Sequence, residues 1–258
     1  MKIFVLGGKG LIGSAIVSKL KRNNYYKVYA ITKNNYKNYK NQKCNIFINA
    51  NGNSSRYYAN KNPDYDFNLS VKTTYKSFID FRFDHYIFLS SIDVYDSSAK
   101  SNSKKETKTI DVKFVDHYGL NKFLSENIVK HFSNSFLILR IGSVIDKKIN
   151  KNHLFDMINK NKVYVNPKTK ASFISVDKVT NILRLLINKK KFNHIYNIAG
   201  STAISYQKID KIFDINSNFD LSKKTFNYKV NTIKIEKMYK GMLNSEKILK
   251  DFKKKIKS

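Results

Sequence analysis

The 258-residue chain has no tryptophan, one cysteine, two prolines and nine glycines, and it sets only 19 acidic residues against 49 basic ones. Each scarcity excludes something. The single cysteine, Cys44, rules out an internal disulfide framework and a cysteine-rich zinc module, and suits a reducing compartment. No apolar run approaches the ~20 residues of a membrane span. The run Ile3 to Leu6 is too short for a signal-peptide core, so a cytoplasmic chain without a membrane span is expected. Only five of the bases are arginine (Arg22, Arg56, Arg82, Arg140, Arg184), whereas specific nucleic-acid reading leans on the bidentate guanidinium, so no specific nucleic-acid partner is expected. The many lysines are scattered among Asn, Ile, Tyr and Phe, all with A/T-rich codons, and compositional drift accounts for most of the formal charge of +30. Drift leaves the scarcity of glutamate unexplained, and a positive field suits the capture of an anionic cofactor or a nucleotide-linked substrate. With 41% hydrophobic residues the chain can build one large core or two small ones.

What is present is an alternation. Lys2 to Leu6 reads as a strand, Gly7 to Gly10 as a turn, and Leu11, Ile12, Ala15, Ile16 and Leu20 recur at helical spacing up to Arg22 and Asn23. Strands follow at Lys27 to Thr32 and Asn45 to Asn49, separated by a polar loop from Lys33 to Lys43. A helix is expected over Tyr65 to Phe81, a strand over His85 to Leu89, a helix over Val115 to Phe132 and a strand over Phe136 to Arg140. The pattern is that of an α/β fold with a doubly wound parallel sheet, of Rossmann type, and a small C-terminal lobe. Beyond Gly142 it loosens, with a short strand expected at Lys162 to Val165. A helix over Val176 to Ile187 and a strand over His194 to Ile198 then return to the sheet, and a lysine-dense solvated helix runs over 247–258.

The turn reads Gly7-x-x-Gly10-x-x-Gly13 or, equally, Gly8-x-Gly10-x-x-Gly13. Between a first strand and a first helix, such glycines let backbone approach a pyrophosphate, and the helix N-terminus of Leu11 and Ile12 offers unpaired N–H groups. Gly8-Lys9 is no phosphate-loop lysine, because Gly10 stands where Ser or Thr would hold magnesium. The second strand ends Thr32-Lys33, with a hydroxyl and an ammonium where a carboxylate would repel a 2′-phosphate. NADP is therefore favoured and NAD is possible. Residues 1–142, completed by 176–199, are expected to bind the dinucleotide, and 143–175 with 200–258 to form the substrate lobe.

On the helix from Val115, Tyr118 and Lys122 lie four apart on one face. The spacing alone says little, since Tyr36/Lys40 and Tyr57/Lys61 share it. Tyr118 differs by following a strand that ends in Ser90-Ser91, where ligands of doubly wound folds sit. A nearby ammonium and a positive nicotinamide ring favour phenolate, so Tyr118 can serve as acid or base while Ser91 donates a hydrogen bond to a substrate oxygen. The five histidines have no metal-ligand spacing, and His117 should face away from the site. Asp111, Asp116 and Glu126 read as solvated or paired with local lysines.

The combination resembles the extended short-chain dehydrogenases/reductases, the NAD-dependent epimerase/dehydratase family that acts mostly on nucleotide sugars. Seven segments carry the resemblance in order: Gly7/Gly10/Gly13, Ile48-Asn49-Ala50-Asn51-Gly52, Ser90-Ser91-x-x-Val94-Tyr95, Tyr118-Gly119-x-x-Lys122, Leu139-Arg140-Ile141-Gly142, Ser172-Phe173-Ile174-x-Val176-Asp177 and Tyr196-Asn197-Ile198-Ala199-Gly200. The resemblance implies an NAD(P)-dependent oxidoreductase or epimerase in which Ser91 polarises the substrate oxygen, Tyr118 is the acid/base, and Lys122 holds the nicotinamide ribose. It also implies cofactor contacts from Asn49, Ala50 and Asn51, and a homodimer through the tyrosine helix and its neighbour. Where the family often carries an asparagine this chain has Ser70, with Asn68 nearby. Asp96 replaces the glycine after Val-Tyr. Dehydratases of the family need two adjacent carboxyl groups where this chain has Ile92-Asp93, so 4-keto reduction or epimerisation is expected. Asp93 is open between a turn residue and a catalytic one. Two other readings are a noncatalytic NAD(P)- or RNA-binding protein on the same fold, and a reductase of a non-sugar carbonyl.

Overall fold

A computed structural model describes residues 1–96, 104–242 and 244–257. Ten strands are present among them: β1 Lys2–Leu6, β2 Lys27–Ile31, β3 Lys43–Asn49, β4 Arg82–Ser91, β5 Phe136–Ile141, β6 Ser143–Ile145, β7 Lys170–Ala171, β8 Phe173–Ser175, β9 His194–Ile198 and β10 Ile204–Ser205. Six of them form one sheet in the order β2-β1-β3-β4-β5-β9. Its pairs β1/β2, β1/β3 and β3/β4 are parallel. The helices are α1 Leu11–Lys21, α2 Tyr36–Tyr39, α3 Arg56–Lys61, α4 Pro63–Phe67, α5 Thr73–Asp80, α6 His117–Phe132, α7 His153–Ile158, α8 Val176–Asn188, α9 Tyr206–Phe213, α10 Ile233–Glu236 and α11 Ser245–Lys257. The expected doubly wound α/β sheet is thus observed. Its strands are apolar runs because both faces are covered.

The chain divides into two compact units. The first comprises Met1–Val94, Val115–Arg140 and Val176–Tyr196, and the second Tyr95–Phe114, Ile141–Ser175 and Asn197–Ser258. In the first unit an aromatic-rich core gathers Phe4, Phe47, Phe81, Tyr86 and Phe88 with Leu6, Ile31 and Ile138. Phe47 and Phe78 both stack on Tyr86, with centroids 5.3 and 4.5 Å away. In the second, Ile145, Leu154, Met157, Ile209, Leu249 and Phe252 belong to a separate, mostly aliphatic cluster.

Three elements depart from the sequence reading. The helix expected over Tyr65 to Phe81 is broken into α4 and α5 by a π-helical turn over Asn68–Lys72. There Thr73 and Thr74 hydroxyls donate back to the carbonyls of Asn68 and Ser70, at 3.0 and 2.7 Å. Such side-chain bonds compete with the helical ladder and bend it. Lys162 to Val165 forms no strand. Val163 makes only an isolated bridge to Phe219, with Lys160 in the left-handed region ahead of it and Pro167 after it. The terminal helix α11 is amphipathic, not simply solvated, since Ile248, Leu249 and Phe252 are buried. Ser258 lies outside the described residues. Among the described residues no helix is long and apolar enough to cross a membrane.

Candidate active site

At the end of β1, Gly7 adopts a φ of +75°, and its amide donates to the Ile31 carbonyl at 3.0 Å. A Cβ on Gly7 would stand 2.8 Å from the Ala50 carbonyl oxygen, and one on Gly13 would overlap the Gly7 carbonyl. The turn therefore closes only around glycine. Gly10 caps α1 without a side chain, and the first turn, which holds the half-buried Leu11 and Ile12, has no acidic residue. Uncapped N–H groups at a helix N-terminus free of carboxylates fit a pyrophosphate. The Ala50–Asn51 backbone lies against Gly7.

Two expected cofactor contacts are already engaged within the protein. Asn49 is buried: its Nδ2 donates to Tyr86 Oη at 2.9 Å and Thr74 Oγ1 at 3.2 Å, and its Oδ1 accepts from the Asn51 amide at 3.0 Å. Its side chain shapes the Ala50–Asn51 segment and does not project from it. At the end of β2, the Thr32 amide and hydroxyl both donate to Asn35 Oδ1, at 2.7 and 3.2 Å, while Lys33 is exposed.

Tyr118 and Lys122, in successive turns of α6, meet Ser91 at the end of β4. All three side chains are buried. Ser91 is near enough to act on the Tyr118 phenol, Ser91 Oγ donates to Asp93 Oδ2 at 2.9 Å, and Lys122 Nζ lies 5.7 Å from the centroid of the Tyr118 ring. Several features impose this meeting. Gly119 abuts the Asp93 carbonyl so closely that a Cβ there would overlap it, which lets α6 come down on the turn after β4. Asp116 is the N-cap of α6, its Oδ1 accepting from the Gly119 amide at 2.9 Å, and its Oδ2 accepts from Arg56 Nε. A turn beyond Lys122, Glu126 is fully buried. It accepts from Ser90 Oγ at 2.6 Å and from Arg140 Nε and Nη2 at 2.9 and 2.6 Å. Ser90 adjoins Ser91, so this bidentate pair ties β4, α6 and β5 together beneath the three site residues.

The expectation for Glu126 and Asp116 is thus corrected: their partners are the arginines of β5 and α3, not local lysines. Asp111 is exposed and accepts from the Lys113 amide, and His117 is exposed. Burial, then Asp93 and Asp66, push the Tyr118 phenol above its ordinary range, with the Ser91 hydrogen bond acting the other way. Without a nicotinamide the ammonium does not prevail, and Tyr118 is neutral. Burial lowers Lys122 to about 8, opposed by Asp66, Asp93 and Glu126, so it is largely cationic at neutral pH.

Residues overlooked in the sequence complete the site. Asp66 is fully buried and accepts from Asn121 Nδ2 at 2.7 Å and Ser70 Oγ at 3.4 Å. Asn121 lies inside the Tyr-x-x-x-Lys spacing, and Asp66 and Ser70 are four apart; those offsets were the available signal. Arg140 announced itself more clearly, as a lone charge within Leu137-Ile138-Leu139-Arg140-Ile141 that demands a buried partner.

Among curated proteins none matches the sequence. The family model described as "NAD dependent epimerase/dehydratase family" matches residues 3–81. Solved structures are similar over the whole chain. UDP-glucuronic acid 4-epimerase from Bacillus cereus, solved with UDP-glucuronic acid and NAD, is 16% identical, with 99% of this chain and 100% of that chain covered and a TM-score of 0.80. A dTDP-4-dehydrorhamnose reductase from Clostridium acetobutylicum is 16% identical with both chains covered at 100% and a TM-score of 0.79. The dTDP-4-dehydrorhamnose reductase from Bacillus anthracis, in complex with NADP, is 15% identical over 97% of this chain and 96% of that one, at a TM-score of 0.77. At such identity the likeness establishes the fold. Residues 3–81 thus match the NAD-dependent epimerase/dehydratase family model, and the chain as a whole shares the fold of these solved enzymes.

Proposed function

We propose that the protein transfers hydride between a nicotinamide dinucleotide and a nucleotide-linked sugar, by 4-keto reduction or by epimerisation. The observation that carries this reading is the meeting of Ser91, Tyr118 and Lys122 in one buried cluster. When bound, the nicotinamide supplies the hydride chemistry. Gly7, Gly10 and Gly13 admit the pyrophosphate, with the amides of Leu11 and Ile12 donating to it. Ala50 and Asn51 flank the turn. Lys122 holds the ribose, Tyr118 moves the hydroxyl proton, and Ser91 steadies the oxygen that carries it. NADP is favoured, because Lys33 stands exposed after β2 with no carboxylate at Thr32 to repel a 2′-phosphate. Exposed Tyr75 and Ile79 of α5 and Phe132 of α6 support a homodimer through these helices.

The test is to titrate the purified protein with reduced NADP and NAD, then with a panel of nucleotide-linked keto sugars, following absorbance of the reduced ring. Loss of that absorbance with one of the sugars supports the reading. The charge of +30 favours a second reading, a noncatalytic RNA-binding protein; salt-sensitive retention on RNA with no cofactor oxidation would decide for it.

A further inference from the structure

Two neighbouring loops of the second unit carry its most exposed large apolar side chains. Along 163–165 the side chains alternate: Val163 and Val165 are buried in the aliphatic cluster, and Tyr164 between them is 60% exposed. The other loop presents Leu221, at 74% the most exposed large hydrophobic residue among those described. Backbone bonds fasten the loops to each other. The Val163 amide donates to the Asn218 carbonyl at 2.9 Å, and the Asp220 amide donates to the Val163 carbonyl at 3.0 Å. Asn166 Nδ2 donates to the carbonyls of Leu221 and Lys223, at 3.4 and 3.0 Å, and Phe219 packs against the cluster. Tyr164 and Leu221 thus stand on one tip, held outward by buried neighbours. A single exposed leucine is ordinary on a protein surface, and the charge around this one is what selects an occupant.

Residues 160–168 and 216–225 contain five lysines, all exposed, and one carboxylate. That carboxylate, Asp220, is engaged in its own loop: it accepts from the Ser222 amide and hydroxyl at 3.1 and 2.6 Å, with Lys223 Nζ 3.9 Å away. Lys162 Nζ lies 5.3 Å from the centroid of the Tyr164 ring. An aliphatic tip beside an amphipathic ring and several lysines matches a bilayer surface that carries anionic lipid. There, apolar groups enter the boundary between headgroups and acyl chains, and ammonium groups meet a negative surface potential. Single-stranded nucleic acid fits less well. The tip offers one exposed ring for stacking, no arginine, and at its most exposed point a leucine, which has no face for a base.

We propose that this tip docks the protein on anionic phospholipid, with Leu221 and Tyr164 inserted at the boundary and Lys162, Lys223 and Lys224 among the headgroups. Neither contribution suffices alone, because two side chains insert shallowly and the attraction of exposed lysines is screened within about 8 Å at physiological salt. Binding is therefore peripheral and reversible, and it requires both the anionic lipid and the apolar tip.

The chain contains no tryptophan, so Leu221→Trp reports from the tip alone. Its emission should move to the blue with phosphatidylcholine vesicles containing about 30% phosphatidylserine at ~0.15 M salt, and stay unchanged with phosphatidylcholine alone. Tyr57→Trp, at an exposed position of the first unit, should shift with neither. In cosedimentation, Lys162→Gln combined with Lys223→Gln and Lys224→Gln should weaken partitioning onto the anionic vesicles about tenfold or more. Removing the same charge from the first unit, by Lys37→Gln with Lys72→Gln and Lys76→Gln at exposed positions, should weaken it less than about threefold. Leu221→Ser should weaken it about fivefold or more. Each variant is compared at wild-type circular dichroism. Unshifted emission from Leu221→Trp in protein that sediments with the vesicles, equal losses from the two lysine triples, or no sedimentation at all overturns the proposal. A shift with single-stranded RNA and none with vesicles also overturns it, and assigns the tip to nucleic acid instead.

Discussion

Each of the two units has its own means of internal cohesion. Side chains bonded to side chains link distant segments of the first: Asn49 with Tyr86 and Thr74, Asp66 with Asn121, and Glu126 with Ser90 and Arg140. The second relies on its aliphatic cluster, and its buried polar groups mostly satisfy backbone. Asn197 Nδ2 donates to the carbonyls of Lys104 and Asn231 at 3.1 and 2.9 Å, and Lys104 Nζ donates to that of Asn227 at 2.6 Å. A polar network fixes positions because each member fails if its partner moves, whereas an apolar cluster can repack. The candidate catalytic groups sit in the unit whose geometry is the more tightly specified.

That contrast can be broken by mutation, and the largest effect should come from Glu126. Glu126→Ala strands a buried guanidinium and should cost about 3–5 kcal/mol in urea unfolding, whereas the double change Glu126→Leu with Arg140→Met should recover most of it. If the single change is nearly silent, the pair does not hold the unit. Next, Leu249→Ala in the second unit should cost about 2–4 kcal/mol while leaving nicotinamide affinity of the folded protein unchanged. A parallel loss of affinity would erase the distinction drawn between the units. The smallest effect belongs to the exposed Lys33: Lys33→Ala should weaken reduced NADP roughly threefold and reduced NAD hardly at all. An equal effect on both would reject the 2′-phosphate proposal.

The same contrast explains what the sequence revealed. The first unit's strands are apolar runs set off by glycine or polar turns, so β1, β5, β9 and α1 were readable to within a residue or two. So was the proximity of Ser91 to Tyr118, since both follow strand ends in a doubly wound sheet. Short elements of the second unit, such as β7 with β10 and helix α7, rest on tertiary pairing and carry no periodicity of their own. In the site itself, Asp66 and Arg56 escaped notice because their value lies in partners 55 and 60 residues away, Asn121 and Asp116. The π turn was hidden as well, since serine and threonine in a helical run do not announce when they bond back to the chain.

The most direct test of the account is a single turnover of wild type and Tyr118→Phe with bound reduced NADP and a keto sugar that the wild type accepts. The phenylalanine variant should bind the cofactor with nearly unchanged affinity and reduce the sugar at least about 100-fold more slowly. Reduction at the wild-type rate would contradict the assignment of Tyr118, and with it the claim that the buried meeting of Ser91, Tyr118 and Lys122 is where the chemistry occurs.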